Sequence, residues 1–165
     1  KHKAFFHWSD FDEELYQKIR TASLKKIRPF VHQILGYDKA PSAVRKAQEN
    51  IEMANLSEFI SIARKDFFRT EKPMANRLHM VFNPPYGERL QINATEFYGK
   101  IGNTLKQNYP QTEVWFLTSN LEALKYVGLR PSRKIKLYNG KLESRFVRYE
   151  MYLGSKKKHQ KNPTP

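Results

Sequence analysis

The sequence predicts an α/β fold with a mostly parallel sheet, and three observations support this class. Short apolar runs with strand character alternate with segments in which apolar residues recur every three to four positions, as they do along one face of a helix. The chain closes with two strand-like segments around Asn139-Gly140, a strong hairpin signal. Its 165 residues are 39% hydrophobic and 13% aromatic, enough for a substantial core. We therefore expect helices on both faces of the sheet and an antiparallel hairpin at one edge.

The residue pattern in the first part of the chain predicts a helix that is followed by a strand-helix-strand unit. Ser9 or Asp10 is expected to cap a helix over residues 11–24, which has acids in its first turn and is followed by cations, as the helix dipole favours. The elements that follow are a strand over residues 31–38, a helix that begins at Pro41, and a strand over residues 59–66. Each of these strands ends in an aspartate.

The residue pattern in the rest of the chain predicts one further strand-helix-strand unit, a short helix and the hairpin. A third strand over residues 78–82 ends at two prolines, because neither can donate a backbone N–H to a strand partner. The elements that follow are a helix over residues 94–108, a strand over 113–117, a short helix over 121–127 closed by Gly128, and hairpin strands over 133–138 and 142–153.

The charge of the chain points to an anionic partner. There are 30 Lys and Arg against 16 Asp and Glu, a formal net charge of +14. Residues 155–165 hold four lysines and no acid, and we expect them to form a disordered basic tail; without them the charge is still +10. A basic surface attracts phosphates and releases their counterions, so nucleic acid is the first candidate partner. The alternative is that the charge only keeps the protein soluble.

Composition also excludes several classes of protein. No run approaches the ~18 uncharged apolar residues of a membrane span, and the first eight residues lack the apolar region of a signal peptide. The absence of cysteine excludes disulfides and thiolate chemistry. The five histidines lack the spacing of zinc ligands, so we expect no metal. These features favour a cytoplasmic protein.

Polar side chains stand at the ends of three predicted strands: Asp38, Asp66 and Asn83. In an open α/β sheet, ligands bind beyond the carboxyl ends of the strands, so we expect the three to converge at one rim. Asp38 is placed to accept hydrogen bonds from a ribose diol, and Asp66 from an exocyclic amine. The alternative for each acid is a helix cap or a solvated loop residue.

The run Asn83-Pro84-Pro85-Tyr86 fits one chemical task. An exocyclic amine on a base is a poor nucleophile, because its lone pair is delocalised into the ring. Two acceptors, the Asn83 side-chain oxygen and the Pro84 carbonyl, would hold the amine near tetrahedral geometry and leave the lone pair free to attack. Tyr86 can stack on a base swung out of its helix. The alternative is an ordinary diproline turn.

The string NPPYGERL at residues 83–90 resembles the S-adenosylmethionine-dependent methyltransferases that modify guanine N2 in large-subunit ribosomal RNA. Members of this family are often labelled N6-adenine-specific DNA methylases and usually carry a THUMP RNA-binding domain upstream. The resemblance extends over about residues 5–153. It implies a Rossmann-like class I methyltransferase sheet, S-adenosylmethionine as cofactor and ribosomal RNA as partner.

The resemblance also implies roles for individual residues. Asp38 takes the ribose, Asp66 and Phe67 take the adenine of the cofactor, and the catalytic set is Asn83, Pro84, Pro85 and Tyr86, with Asn83 also beside the cofactor. Family members often carry a second acid two residues beyond the ribose-binding one, where this chain has Ala40. Only auxiliary contacts depend on that position.

A second departure from the family is the lack of its first strand and glycine-rich loop. The missing strand would lie in the middle of the sheet, between the strands that end at Asp38 and Asn83. We therefore expect residues 1–154 to form a catalytic domain that is incomplete at its N-terminus, and the chain as given to be inactive. Two alternatives stay open: an N6-adenine DNA methyltransferase, and a non-catalytic basic RNA-binding module.

Two groups of charged residues permit more than one interpretation. Glu88 and Arg89 are left out of the catalytic set, because an adjacent acid and base at the start of a helix are usually solvated. The hairpin cations could contact phosphates, but charges on an edge strand also prevent aggregation. These cations are Lys134, Lys136, Arg145 and Arg148.

Overall fold

The computed structural model describes residues 4–74, 76–85 and 93–153. Its helices and strands are α1 (Glu13–Leu24), β1 (Ile34–Asp38), α2 (Pro41–Met53), β2 (Ile60–Arg64), β3 (Leu78–Phe82), α3 (Ala94–Asn108), β4 (Thr112–Thr118), β5 (Arg133–Asn139) and β6 (Leu142–Glu150). Short 3-10 helices cover Ala4–His7, Phe67–Arg69 and Ala123–Val127. Tyr86, residues 87–90 and the lysine-rich residues 155–165 lie outside the described part of the chain.

The strands form two sheets. One has four strands in the order β3-β4-β6-β5, with β3 parallel to β4 and the other neighbours antiparallel. The other contains β1 and β2. In the larger sheet β3, β4 and β5 run in one direction and β6 alone runs opposite to its neighbours, so the expected α/β class, with the hairpin at one edge, is confirmed.

Residue contacts divide the described chain into two units. The first is built from Lys1–Gly36 and Ser42–Ala63, and the second from Tyr37–Pro41 and Arg64–Pro165. β1 and β2 run in the same direction, since the Ile34 amide donates to the Phe59 carbonyl at one end (2.9 Å) and the Lys65 amide to the Asp38 carbonyl at the other (3.0 Å). The last residues of both strands and the two candidate acids belong to the second unit.

The buried core belongs to the second unit. Alternate residues of β4 are buried, so Val114 and Phe116 face the helix α3 and meet its Tyr98, Ile101 and Leu105. All five of these side chains are at most 1% exposed. By contrast, α1 and α2 contain no buried residue in the described chain. None of the described helices is long and apolar enough to cross a membrane.

The helix α3 lies close to the 3-10 helix Ala123–Val127 because it presents glycines there. A Cβ built on Gly102 would overlap the Val127 carbonyl oxygen and lie 2.8 Å from its carbon, whereas one on Gly99 would lie 3.7 Å from the Tyr126 oxygen. The 3-10 helix ends at Gly128, whose left-handed φ of 64° suits glycine. This close approach brings the two backbones into direct contact.

Two details at element ends differ from expectation. The cap of α1 is Asp12, whose carboxylate accepts from the Leu15 amide at 2.9 Å, and not Ser9 or Asp10, since the helix begins only at Glu13. The hairpin turn is shifted by one residue: Asn139 pairs with Leu142, so Gly140 and Lys141 form the turn. Gly140 supplies the positive φ, 62°, at the first turn position, where glycine meets no steric cost.

An ion-pair cluster around Glu113 joins three strands. The Glu113 carboxylate accepts from the Trp115 indole N–H (3.0 Å) and from the guanidinium groups of Arg148 (2.7 Å) and Arg77 (3.1 Å). Two of these hydrogen bonds lower the pKa of Glu113 to about 2. The larger effect comes from Trp115 and the next from Arg148. The folded state therefore favours the ionised carboxylate.

Replacing Glu113 by glutamine is expected to lower the melting temperature at pH 7. The carboxylate has a lower pKa in the folded than in the unfolded chain. Its contribution to the stability of the fold is therefore complete above its pKa in the unfolded chain, near 4.5, and is lost as the pH falls towards about 2. The difference in melting temperature between wild type and variant should thus shrink over that interval, which circular dichroism at stepped pH can follow. Glu122→Gln, which removes a carboxylate that makes no capping hydrogen bond, is the control. A difference that is constant with pH would contradict the role of the charge.

Candidate functional site

The two candidate acids lie at the ends of the paired strands β1 and β2: Asp38 is the last residue of β1, and Asp66 lies two residues after β2. The Asp38 carboxylate Oδ1 accepts from the Ala40 amide (2.7 Å), which turns the chain into α2. The Asp38 side chain is otherwise exposed. Both carboxylate oxygens can accept more than one hydrogen bond, so this turn leaves acceptor capacity for a ligand.

Asp66 is held by two contacts. Its Oδ1 accepts from the Phe68 amide (3.2 Å) and caps the 3-10 helix Phe67–Arg69, while its Oδ2 lies 3.1 Å from the Lys39 ammonium. The hydrogen bond from Lys39 is the main cause that lowers the pKa of Asp66, so the carboxylate is ionised near neutral pH. Asp66 therefore has the capping role that was weighed for it, whereas Asp38 holds the turn before α2 and caps no helix.

Phe67 links Asp66 to the end of β3. Its ring packs on Phe82 (centroids 5.4 Å apart) and stacks on Tyr109 (6.0 Å, 17° between planes). Phe82 is the residue before Asn83, so one aromatic contact joins the chain around Asp66 to the chain around Asn83. Phe67 is half-buried in this stack and keeps part of its ring accessible.

The residues after β3 combine a buried anchor with an accessible amide. Pro84 is buried, whereas Asn83 and Pro85 on either side are exposed. Burial anchors Pro84, and the proline ring restricts its backbone. The Asn83 side chain beside it is therefore accessible next to an anchored residue. Tyr86, the fourth residue of the run, lies outside the described residues.

A group of cations beside Asp66 was not predicted from the sequence. Lys39, Arg64, Lys65 and Arg69 line, together with Asp66, an open cleft of about 510 Å³. The signal was visible as a lysine next to each acid, in Asp38-Lys39 and Lys65-Asp66. Only the pairing of β1 with β2 shows that Lys39, Lys65 and Asp66 line one cleft.

The hairpin cations are largely engaged by acids. Lys136 and Arg145 both contact the Glu143 carboxylate, at 2.7 and 2.6 Å, and Arg148 contacts those of Glu113 and Glu150. Their charges are compensated within the sheet. Neither the phosphate contact nor the protection of an edge strand that was considered for the hairpin cations includes these ion pairs, which already engage the three residues.

The fold and the site define the class of protein. β1 ends at Asp38, Asp66 lies two residues after β2, and Asn83-Pro84-Pro85 follow β3. Together with the pairing of the hairpin strand β6 with β4, these features are those of the class I, Rossmann-like methyltransferases. Two solved structures share this fold. SMU.472 in complex with SAH has a TM-score of 0.75 and 23% identity over 94% of this chain and 41% of that one. A possible methylase from Clostridium difficile 630 has a TM-score of 0.71 and 25% identity over 90% and 40%.

The chain belongs to the UPF0020 family, the RMKL-like methyltransferase domain, which matches residues 3–148. Among curated proteins it is 31% identical to ribosomal RNA large subunit methyltransferase K/L of Allochromatium vinosum over 157 residues, 89% of this chain and 21% of that protein. The same-named protein of Cellvibrio japonicus is 32% identical over 87% of this chain and 19% of its own length. The chain thus spans about a fifth of these relatives. The family and fold expected from the sequence are confirmed.

Proposed function

We propose that this domain transfers a methyl group from S-adenosylmethionine to the exocyclic amine of a nucleic-acid base, namely N2 of a guanine in large-subunit ribosomal RNA. The observation that carries the proposal is the turn after β3, in which buried Pro84 holds exposed Asn83 in a chain of a methyltransferase family. The names of the curated relatives and the net charge of +14 support RNA as the substrate. An enzyme of this kind would act in the cytoplasm.

Asn83 and Pro84 would orient the target amine. The Asn83 Oδ1 and the Pro84 carbonyl would accept its two N–H bonds, which directs the nitrogen lone pair at the methyl carbon. S-adenosylmethionine supplies that carbon on a sulfonium, whose sulfur takes the electron pair of the broken C–S bond. The amine nitrogen then gives up a proton to solvent. Tyr86 would stack on the extruded base.

The residues at the ends of β1 and β2 fit the nucleoside part of this cofactor. Asp38 is exposed and uses one oxygen on the Ala40 amide, so it can accept from a ribose diol. Asp66 is ionised and can accept from the adenine amine, provided that the amine shares or replaces the Lys39 contact. The accessible part of Phe67 would pack on the adenine.

The test is transfer of labelled methyl from S-adenosylmethionine to unmodified ribosomal RNA and to DNA, by the native protein that contains these 165 residues, followed by nucleoside analysis. Label in N2-methylguanosine supports the proposal. Label in N6-methyladenine would keep the roles of the site residues but overturn the substrate. Bound cofactor without label in either product would favour a non-catalytic RNA-binding module.

Replacing Asp38 by alanine is expected to weaken the binding of S-adenosylhomocysteine about tenfold or more, since a hydrogen bond to a charged group contributes about 1.5–3 kcal/mol. Asp38→Asn keeps an acceptor for the Ala40 amide but lacks the second acceptor oxygen, so it should also weaken binding. Isothermal titration calorimetry measures both. Asp10→Ala, at an exposed position before α1, is the matched control. If Asp38→Asn bound as wild type does while Asp38→Ala did not, Asp38 would act only on the turn.

A further inference from the structure

The cleft beside Asp66 carries an excess of positive charge. We call it the basic cleft and define it by its lining residues, Lys39, Arg64, Lys65, Asp66 and Arg69. Four cations face one carboxylate, so the lining has a net charge of +3. The residues lie in two short segments at the ends of β1 and β2, within the second unit of the chain.

The contacts of these cations leave most of the charge uncompensated within the cleft. Asp66 pairs with Lys39 at 3.1 Å. The Arg64 Nε donates to the neutral backbone carbonyl of Lys39 (3.2 Å), and the Lys65 ammonium lies 4.5 Å from the centre of the Tyr37 ring. A backbone carbonyl and an aromatic face hold a cation in place without cancelling its charge. The cleft is therefore a set of positioned positive charges.

The proposed cofactor does not account for this charge. S-adenosylmethionine is positively charged at sulfur, and its adenine is neutral, so a lining of +3 offers its nucleoside end no complementary charge. A cluster of lysine and arginine side chains in an open cleft matches a phosphate, because the guanidinium fork and the ammonium both donate to phosphate oxygens. Arg64, Lys65 and Arg69, which the proposed adenine contact at Asp66 does not use, thus fit an anion distinct from the cofactor.

We propose that the basic cleft binds the phosphodiester backbone of the RNA substrate. This inference rests on the proposed function, which places the target base at Asn83. Phosphate contacts fix the position of a strand without reading its sequence, so the cleft would hold the RNA while the turn after β3 selects the amine. The hairpin is the weaker candidate for this role, since Lys136, Arg145 and Arg148 are already paired with acids.

The test is the salt dependence of RNA binding by the 165-residue chain, measured by fluorescence anisotropy with a labelled single-stranded RNA. The double variant Lys65→Gln with Arg69→Gln removes two cleft charges. The control, Lys18→Gln with Lys100→Gln, removes two exposed lysines, each paired with a glutamate one helical turn earlier. Both double variants have the same net charge and keep the lysine-rich residues 155–161.

The cleft variant is expected to lose two phosphate contacts. Its plot of log affinity against log salt should be shallower by about 1.4, since each single-strand phosphate contact contributes about 0.7 to the slope. At 0.1 M salt the same loss corresponds to about 25-fold weaker binding. The control variant should keep the wild-type slope, and thermal denaturation of both variants checks that each is folded.

Three results would overturn the proposal. The first is equal slopes for both double variants when the wild type binds RNA, and the second is a wild-type chain that does not bind RNA. The third is loss of adenosine monophosphate binding in the cleft variant with unchanged RNA binding, which would identify the cleft as a mononucleotide site. Because the proposed function is tested separately by nucleoside analysis, the first and third results leave that function intact.

Discussion

Replacing Asn83 by alanine is expected to lower methyl transfer by a factor of about 100 or more, as removal of one acceptor or donor at a reacting centre does in other enzymes. The side-chain oxygen would contact the amine that attacks, so its loss acts on the transition state and not on the ground state. Single-turnover transfer of labelled methyl measures the rate. The affinity for S-adenosylhomocysteine, measured by calorimetry, should stay largely intact.

Asn103→Ala is the matched control for this experiment. Asn103 is exposed on α3, where alanine is a good helix former, so the same change in side chain should leave transfer and stability unaffected. Near-normal turnover of Asn83→Ala would contradict the catalytic role proposed for Asn83 and the residues beside it. An equal fall in cofactor affinity and rate would instead make Asn83 a cofactor-binding residue.

Replacing Gly102 by alanine is expected to destabilise the second unit by about 3 kcal/mol or more, at or beyond the upper end of the range for overpacked cores. The new methyl group would overlap the Val127 carbonyl oxygen and lie 2.8 Å from its carbon. Backbone atoms cannot move aside as a flexible side chain can, so α3 and the 3-10 helix Ala123–Val127 would have to separate. Denaturation by urea, monitored by tryptophan fluorescence, measures the loss.

Gly99→Ala provides a control on the same helix. A Cβ there would lie 3.7 Å from the Tyr126 oxygen, an ordinary van der Waals distance. Since glycine in a helix is less favourable than alanine by about 0.5–1 kcal/mol, this change should be neutral or slightly stabilising. Similar effects of the two substitutions would mean that the close contact at Gly102 does not set the packing of α3.

The sequence was a good guide to elements whose signals are local. The apolar spacing of α3 gave its bounds, Ala94–Asn108, and the prolines after Phe82 gave the end of β3. It was a poorer guide where neighbouring signals compete. Asp10 and Asp12 are both good caps, and the structure uses Asp12, whose carboxylate reaches the Leu15 amide.

Sheet topology could be predicted less well, because strand pairing depends on residues that are distant in sequence. The alternation of strands and helices predicted that most strands share one direction, but it did not predict that β6 lies between β4 and β5 in the larger sheet. The hairpin was predicted, but its turn moved to Gly140 because glycine takes the positive φ there. Periodicity does not determine the order of strands.

The candidate site, like the fold, contains some residues that were predicted from the sequence and others that were not. Asn83 and the two acids were found because each follows a strand in the sequence. The basic cleft was not found, because Lys39 and Asp66 are 27 positions apart and meet only through the pairing of β1 with β2. The contact between Phe67 and Phe82 brings the chain beside Asp66 to the chain beside Asn83, whereas the convergence of all three strand ends stays a prediction.

The distribution of buried residues has a consequence for unfolding experiments. Every fully buried side chain in the described chain belongs to the second unit, while α1 and α2 bury none. Amide hydrogens of β4 and β6 should therefore exchange with solvent through global opening, and those of α1 through local fraying at much lower free energy. A stability measured on this chain would describe the second unit alone, and a single two-state transition would not represent all its residues.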